Sequence, residues 1–202
     1  MKHTTRELAI LAVFGTLWGL VEISLGSFLK TLNIQMSGVI LAAIGLTVAL
    51  TGRAFVPRKG STLFVGVIAM LLKLFSLGGV ILGPMIGIIT EAIVAEIVLT
   101  ALGQPRRLSF TLAGALGVLW VRAQPFFTVP IFFGRTIYTV WLDLLDNGSR
   151  LLGLDPNAWV WLVAAMVALY LVIGAFFGWL SWDIARQLQT RLGRQQTAPA
   201  KS

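Results

Sequence analysis

The sequence predicts an all-α, polytopic membrane protein with six transmembrane helices, and three observations carry that prediction. Of 202 residues, 57% are hydrophobic and only 12% are charged, whereas a soluble domain keeps roughly 25% charged residues to cover its surface. The apolar residues are gathered into long runs, several of them close to the ~20 residues a helix needs to cross a hydrocarbon core of about 30 Å. None of the runs alternates apolar with polar residues, as the strands of a membrane barrel must.

Taken in order, the first run is Leu8–Leu29. Lys2 and Arg6 precede it and Ser24-Leu25-Gly26 is a small-x-small triplet, but its length and Glu22 favour a retained span over a cleaved leader. Met36–Leu50 is short and extends outward toward Leu32; Ser61–Leu77 and Val80–Leu102 follow. A fifth run goes from Leu108 to about Gln124, and the last is Ala158–Trp182. Between these two, Phe126–Leu145 is apolar but interrupted by Pro130, Arg135 and Asp143. This stretch is expected to be a broken extension of the fifth helix followed by an extracytoplasmic interfacial helix, with Ile137, Trp141, Leu144 and Leu145 at helical spacing.

Charge sets the orientation. Eleven of the sixteen basic residues fall on one side of a six-span chain: Lys2, Arg6, Arg53, Arg58, Lys59, Arg106, Arg107, Arg186, Arg191, Arg194 and Lys201. Only Lys30, Arg135 and Arg150 fall on the other. Short cytoplasmic loops collect Lys and Arg, which places the N and C termini in the cytoplasm of a multi-pass protein of the cell (inner) membrane. Residues 1–185 then form a single six-helix domain, and 186–202 a basic cytoplasmic tail expected to be disordered. The net charge of +8 faces anionic lipid rather than nucleic acid.

Ionisable residues inside spans carry the functional signal, because each costs several kcal/mol unless paired or hydrated. Measured along the helices at about 1.5 Å per residue, Glu22, Lys73, Glu91 and Arg122 share one layer roughly 9–12 Å beneath the outer face. Two carboxylates and two cations from four helices would make a neutral cluster. One reading is a solute pocket open to the outside, with Lys73 and Arg122 available for an anionic group and the carboxylates for N–H donors. Gln124, Phe127 (with Phe126) and Trp141 would supply amide contacts, stacking and a lid. The other reading is structural: Glu22 with Lys73 and Glu91 with Arg122 as ion pairs, or the cations snorkelling to the headgroups. Glu96 sits deeper, within reach of Arg106 or Arg107.

Small residues mark close helix packing. Gly15-x-x-x-Gly19 lies on the first helix, Gly83-x-x-x-Gly87-x-x-x-Glu91-x-x-x-Ala95 on the fourth, and Ala164-x-x-x-Ala168 and Gly174-x-x-x-Gly178 on the last. Other chemistries lack their residues. His3 is the one histidine and there is no cysteine, so neither a histidine- or cysteine-based metal site nor a Ser-His dyad can be built in the membrane. Lys59-Gly60-Ser61-Thr62 has the wrong order for a phosphate-binding loop. The chain is therefore expected to be no enzyme, to need no cofactor of its own and to carry no ATPase.

In its length, six apolar runs, cytoplasmic ends and lack of an ATPase motif, the chain resembles the S components of energy-coupling factor (ECF) transporters, the substrate-capture subunits for vitamins and related micronutrients. Ala9, Ala12, Gly15 and Gly19 look similar to the small-residue face by which that family's first helix docks a transmembrane coupling subunit, without a strict alanine repeat. The resemblance implies capture of a vitamin-like or small polar organic solute from outside, delivered with a coupling subunit and two ATPase subunits. The residues by themselves leave two alternatives open, a non-catalytic structural subunit of a larger membrane complex and a self-contained small-solute carrier.

Overall fold

A computed structural model describes residues 3–34, 36–76, 82–103, 105–153, 155 and 158–197. All regular structure among them is helical: α1 (Thr5–Thr31), α2 (Ser37–Phe55), α3 (Ser61–Lys73), α4 (Leu82–Ala101), α5 (Arg107–Ala123), α6 (Pro125–Phe133), α7 (Ile137–Leu152) and α8 (Trp159–Thr197). Five stretches are long and apolar enough to cross a bilayer: Thr5–Leu29, Ser37–Phe55, Leu82–Ala101, Arg107–Phe132 and Trp159–Gly193. The third apolar run makes a helix of only 13 residues, about 20 Å long. It stops at Lys73 in a tight turn in which the N–H groups of Leu74, Phe75 and Ser76 bond to carbonyls three residues back. Leu77, the expected end of that span, lies outside the described residues.

The helix starts have local causes. Thr4 and Glu7 form a reciprocal cap at α1, with Thr4 N–H donating to Glu7 Oε2 (2.8 Å) and Glu7 N–H to Thr4 Oγ1 (3.3 Å). Helix α3 follows Gly60, whose φ of 88° suits glycine alone, and its first N–H groups are capped from another helix. Glu96 of α4 accepts from Gly60 N–H (2.8 Å) and Thr62 N–H (3.0 Å) and lies 3.3 Å from the Arg53 guanidinium of α2. The partner expected for Glu96, Arg106 or Arg107, is thus replaced by Arg53; Arg107 instead pairs with Asp183 and lies over Trp179. Anionic oxygens at a helix N-terminus satisfy N–H groups that have no partner within the helix.

Small residues set the neighbours. A Cβ on Gly15 or Gly19 would fall 2.7 or 2.6 Å from Ile68 or Leu72, so α1 and α3 run side by side in parallel. Trp18, wholly buried, covers Gly45 of α2, while Gly66 of α3 receives Ala92 of α4. Gly114 and Gly174 bring the α5 and α8 backbones so close that a Cβ on either would sit 2.4 Å from the other's carbonyl oxygen. These contacts make α1, α3 and α5 parallel to one another and antiparallel to α2, α4 and α8. Gln189 of α8 donates to the Ala54 carbonyl at the end of α2 (3.0 Å), and Arg6 and Gly193 line one groove. The beginning of α1 and the far part of α8 therefore share one end of the bundle, the end rich in arginine. The basic segment expected to be a disordered tail is helical through Thr197; the stretch Ala185–Leu192 is made mostly of good helix formers, with no proline.

Helix α6 continues the fifth span past Pro125, the two making one apolar stretch, Arg107–Phe132, and α7 packs against α6 and α8. Helix α7 is capped by Thr136, whose side chain accepts from Thr139 N–H (3.3 Å), and stops at Gly153 with φ 66°. Its buried face is Val140, Leu144 and Gly148, with Ile137 exposed. That is the expected amphipathic helix, rotated slightly from the stripe read in the sequence, because Met166 and Leu162 of α8 pack against Gly148.

Candidate functional site

Three of the charges buried within the apolar helices, Glu22, Lys73 and Glu91, gather at the end of the bundle opposite the arginines, whereas Arg53 is buried beside Glu96 at the other end. Lys73 closes α3, and Glu22 lies on the parallel helix α1 at the same height. The Lys73 ammonium donates to the Glu22 carboxylate (3.2 Å) and also to the Glu22 backbone carbonyl (2.7 Å). Gly26, one turn further along α1, leaves the room this requires, since a Cβ there would be 3.2 Å from Nζ. Both side chains are buried, at 5% and 4% exposure. The pair pins α1 to α3, as one of the two sequence readings expected.

Glu91 stands across from this pair on α4. It is 6% exposed, its Oε2 is buried with no hydrogen-bond partner, and it forms no ion pair among the described residues. One turn before it, Gly87 leaves a notch in which Gln124 comes close: a Cβ on Gly87 would lie 3.2 Å from Gln124 Oε1 and 3.6 Å from Glu91 Oε1. Gln124 occupies the break between α5 and α6 and donates to the Gly83 carbonyl (3.3 Å), tying that break to α4. The break itself is dictated by Pro125, which has no N–H to offer the carbonyl of Val121.

These groups line a cavity of about 290 Å³. Glu22, Lys73, Glu91 and Gln124 supply its charged and amide groups, Ser37 and Thr128 its hydroxyls, and Leu41, Ile88, Val121 and Val129 its apolar wall. Such a mix, mostly apolar with a few convergent polar groups, is typical of small-molecule sites, and the volume is at the small end of their range of about 300–1,000 Å³.

The remaining candidates lie elsewhere. Arg122 does not reach Glu91 and forms no pair with it. It lines an adjoining chamber of about 170 Å³ with Phe126, Asp143 and Asn147, and Pro125 and Val129 belong to both chambers. Its Nε is buried without a hydrogen-bond partner. Phe127 stacks on Trp120 at 5.7 Å and is 56% exposed. Trp141 meets the edge of Trp159 at 5.8 Å and lines neither chamber. Of the small residues read as a docking face, Gly15 and Gly19 are buried under α3, Ala12 is half-buried and Ala9 is exposed.

Ser37, Gly38 and Thr128 were not singled out from the sequence. Thr128 stands one helical turn after Gln124, and that spacing was the signal available for it. A larger hollow of about 690 Å³ lies at the basic end between α1 and α8, lined by Ile10, Phe14, Leu188 and Leu192. None of the buried intramembrane carboxylates faces it. Among the described residues no three histidine, cysteine, aspartate or glutamate side chains gather as metal ligands would. No family model matches the chain, and no curated protein or solved structure shows significant similarity to it.

Proposed function

We propose that this protein captures a small organic solute from outside the cell for an ATP-driven importer, in the manner of an ECF transporter S component. One observation carries the reading: a cavity of about 290 Å³ between helices holds a buried carboxylate with no partner among the described residues. Intramembrane ionisable groups are costly, and one left unpaired beside a cavity is best explained by a partner that comes and goes. The charge bias of the two ends turns the cavity outward and the arginine-rich end with both termini toward the cytoplasm. Helix α3 then serves as a sixth, short span, accommodated by local thinning of the bilayer. Energy would come from separate coupling and ATPase subunits, which dock on the α1 surface around Ala9 rather than on Gly15 and Gly19.

The test is a thermal-stability screen of the purified full chain against a panel of vitamins and small metabolites. A ligand at a hundredfold its Kd adds about 2.7 kcal/mol to stability, a shift of several degrees. At least one compound is expected to produce it. Gly87→Val, which fills the notch beside Glu91 and Gln124, should remove the response while the unliganded protein still melts cooperatively. A flat screen with the wild-type chain would leave a structural subunit as the better account.

A further inference from the structure

We infer that the solute is an organic monocation, a compact apolar body carrying one ammonium group that pairs with Glu91. The inference rests on the capture reading and adds the charge and shape of what is captured. It comes from a mismatch between the sequence and the structure. Four charges at one depth sum to zero, but the cavity contains only three of them. Glu22 and Lys73 neutralise one another, and Arg122 lies in the next chamber. Among the described residues lining the cavity, Glu91 is left as the one ionisable side chain without an ion-pair partner.

The same geometry disfavours an anionic solute. The Lys73 ammonium is committed to two acceptors on Glu22, so drawing it onto a ligand would strand a buried carboxylate. A carboxylate or phosphate would also add a second negative charge within the low-dielectric space that Glu91 occupies. An ammonium reverses both effects, bringing N–H donors to the unpartnered Oε2 and cancelling its charge. Gln124 Oε1, beside the Gly87 notch, is positioned to accept a second N–H. The apolar wall of Leu41, Ile88, Val121 and Val129 accommodates a ring or a short branched chain.

Benzylamine, benzyl alcohol and benzoate share one body and differ in the charge of one substituent, so they serve as probes alongside the metabolite panel. Each is titrated at millimolar concentration onto the purified full chain at one pH, with melting temperature as the readout. Benzylamine is expected to stabilise the wild-type chain, with benzyl alcohol at least tenfold weaker and benzoate inactive. Glu91→Gln, which keeps the shape, should weaken benzylamine at least tenfold and leave benzyl alcohol unchanged. The wild-type ranking stands as a test even if the variant folds poorly. Equal or stronger binding of the alcohol or benzoate, or a panel whose hits are neutral or anionic, overturns the cation while solute capture survives. Stabilisation by sodium ions alone, lost in Glu91→Gln and not reproduced by benzylamine, overturns the organic ligand. No response to any probe or panel compound removes both proposals.

Discussion

At the scale of single residues, depth was legible and azimuth was not. The rise along each helix placed Glu22, Lys73, Glu91 and Arg122 in one layer, and three of them do line one chamber. Arg122 does not, because neighbouring residues on a helix differ by about 100° in direction. Val121 takes the face toward Glu91, and Arg122 points into the chamber beside α7. Only the positions of the other helices decide which face looks where. The buried Lys73–Glu22 pair leads to a prediction. Lys73→Met strands a carboxylate and should cost about 3–5 kcal/mol, while adding Glu22→Gln should recover most of it. Melting curves of the two single variants and the double variant in detergent check this; an additive cycle would mean the contact contributes nothing. Glu96→Ala should be as damaging, since it uncaps α3 and leaves the Arg53 guanidinium buried beside nothing. Replacing Arg53 by Met in that background should recover the part lost to the stranded guanidinium but not the part lost with the cap, again read from the melting temperature.

At the scale of elements, the apolar runs gave the helices, and the small-residue stripes gave their closeness but not their partners. A glycine stripe says that some backbone comes near, without naming it. On α1 the neighbour is α3, so Gly15 and Gly19 hold the bundle together instead of greeting another subunit. At the α5–α8 seam backbone meets backbone. Gly114→Ala would drive a methyl into the Gly174 carbonyl, and overpacking of that kind costs about 1–3 kcal/mol. Gly83→Ala, where a Cβ meets no described residue within 4 Å, is the matched control and should melt like the wild type. Equal losses in the two variants would show that the seam is looser than these distances require. Hydropathy continues past Lys73, but helix α3 ends there, as Leu74, Phe75 and Ser76 bond to carbonyls three residues back; hydropathy alone does not mark such an end.

At the scale of the whole molecule, the two-ended character was readable from charge, because basic loops alternate with spans however the helices pack. The structure adds that the start of α1 and the far part of α8 lie together, which follows from the alternating directions of α1 through α5 and α8. With no native cysteine, single-cysteine variants report sidedness directly. Tyr138→Cys should react with an impermeant maleimide on intact cells, whereas Lys59→Cys and Arg191→Cys should react only after lysis. The reverse pattern would turn the cavity toward the cytoplasm and end the uptake model. The length of α8 has a mechanical corollary. Its 39 residues extend about 58 Å, about 28 Å more than a core of about 30 Å takes up, and that excess is divided between the two ends of the helix. A tilt of the bundle by about 20° would displace one end of that rod sideways relative to the other by about 20 Å. Such a rod is a built-in lever arm: a pair of spin labels at its tip and on a static partner would register rocking motions too small to see at the bundle itself.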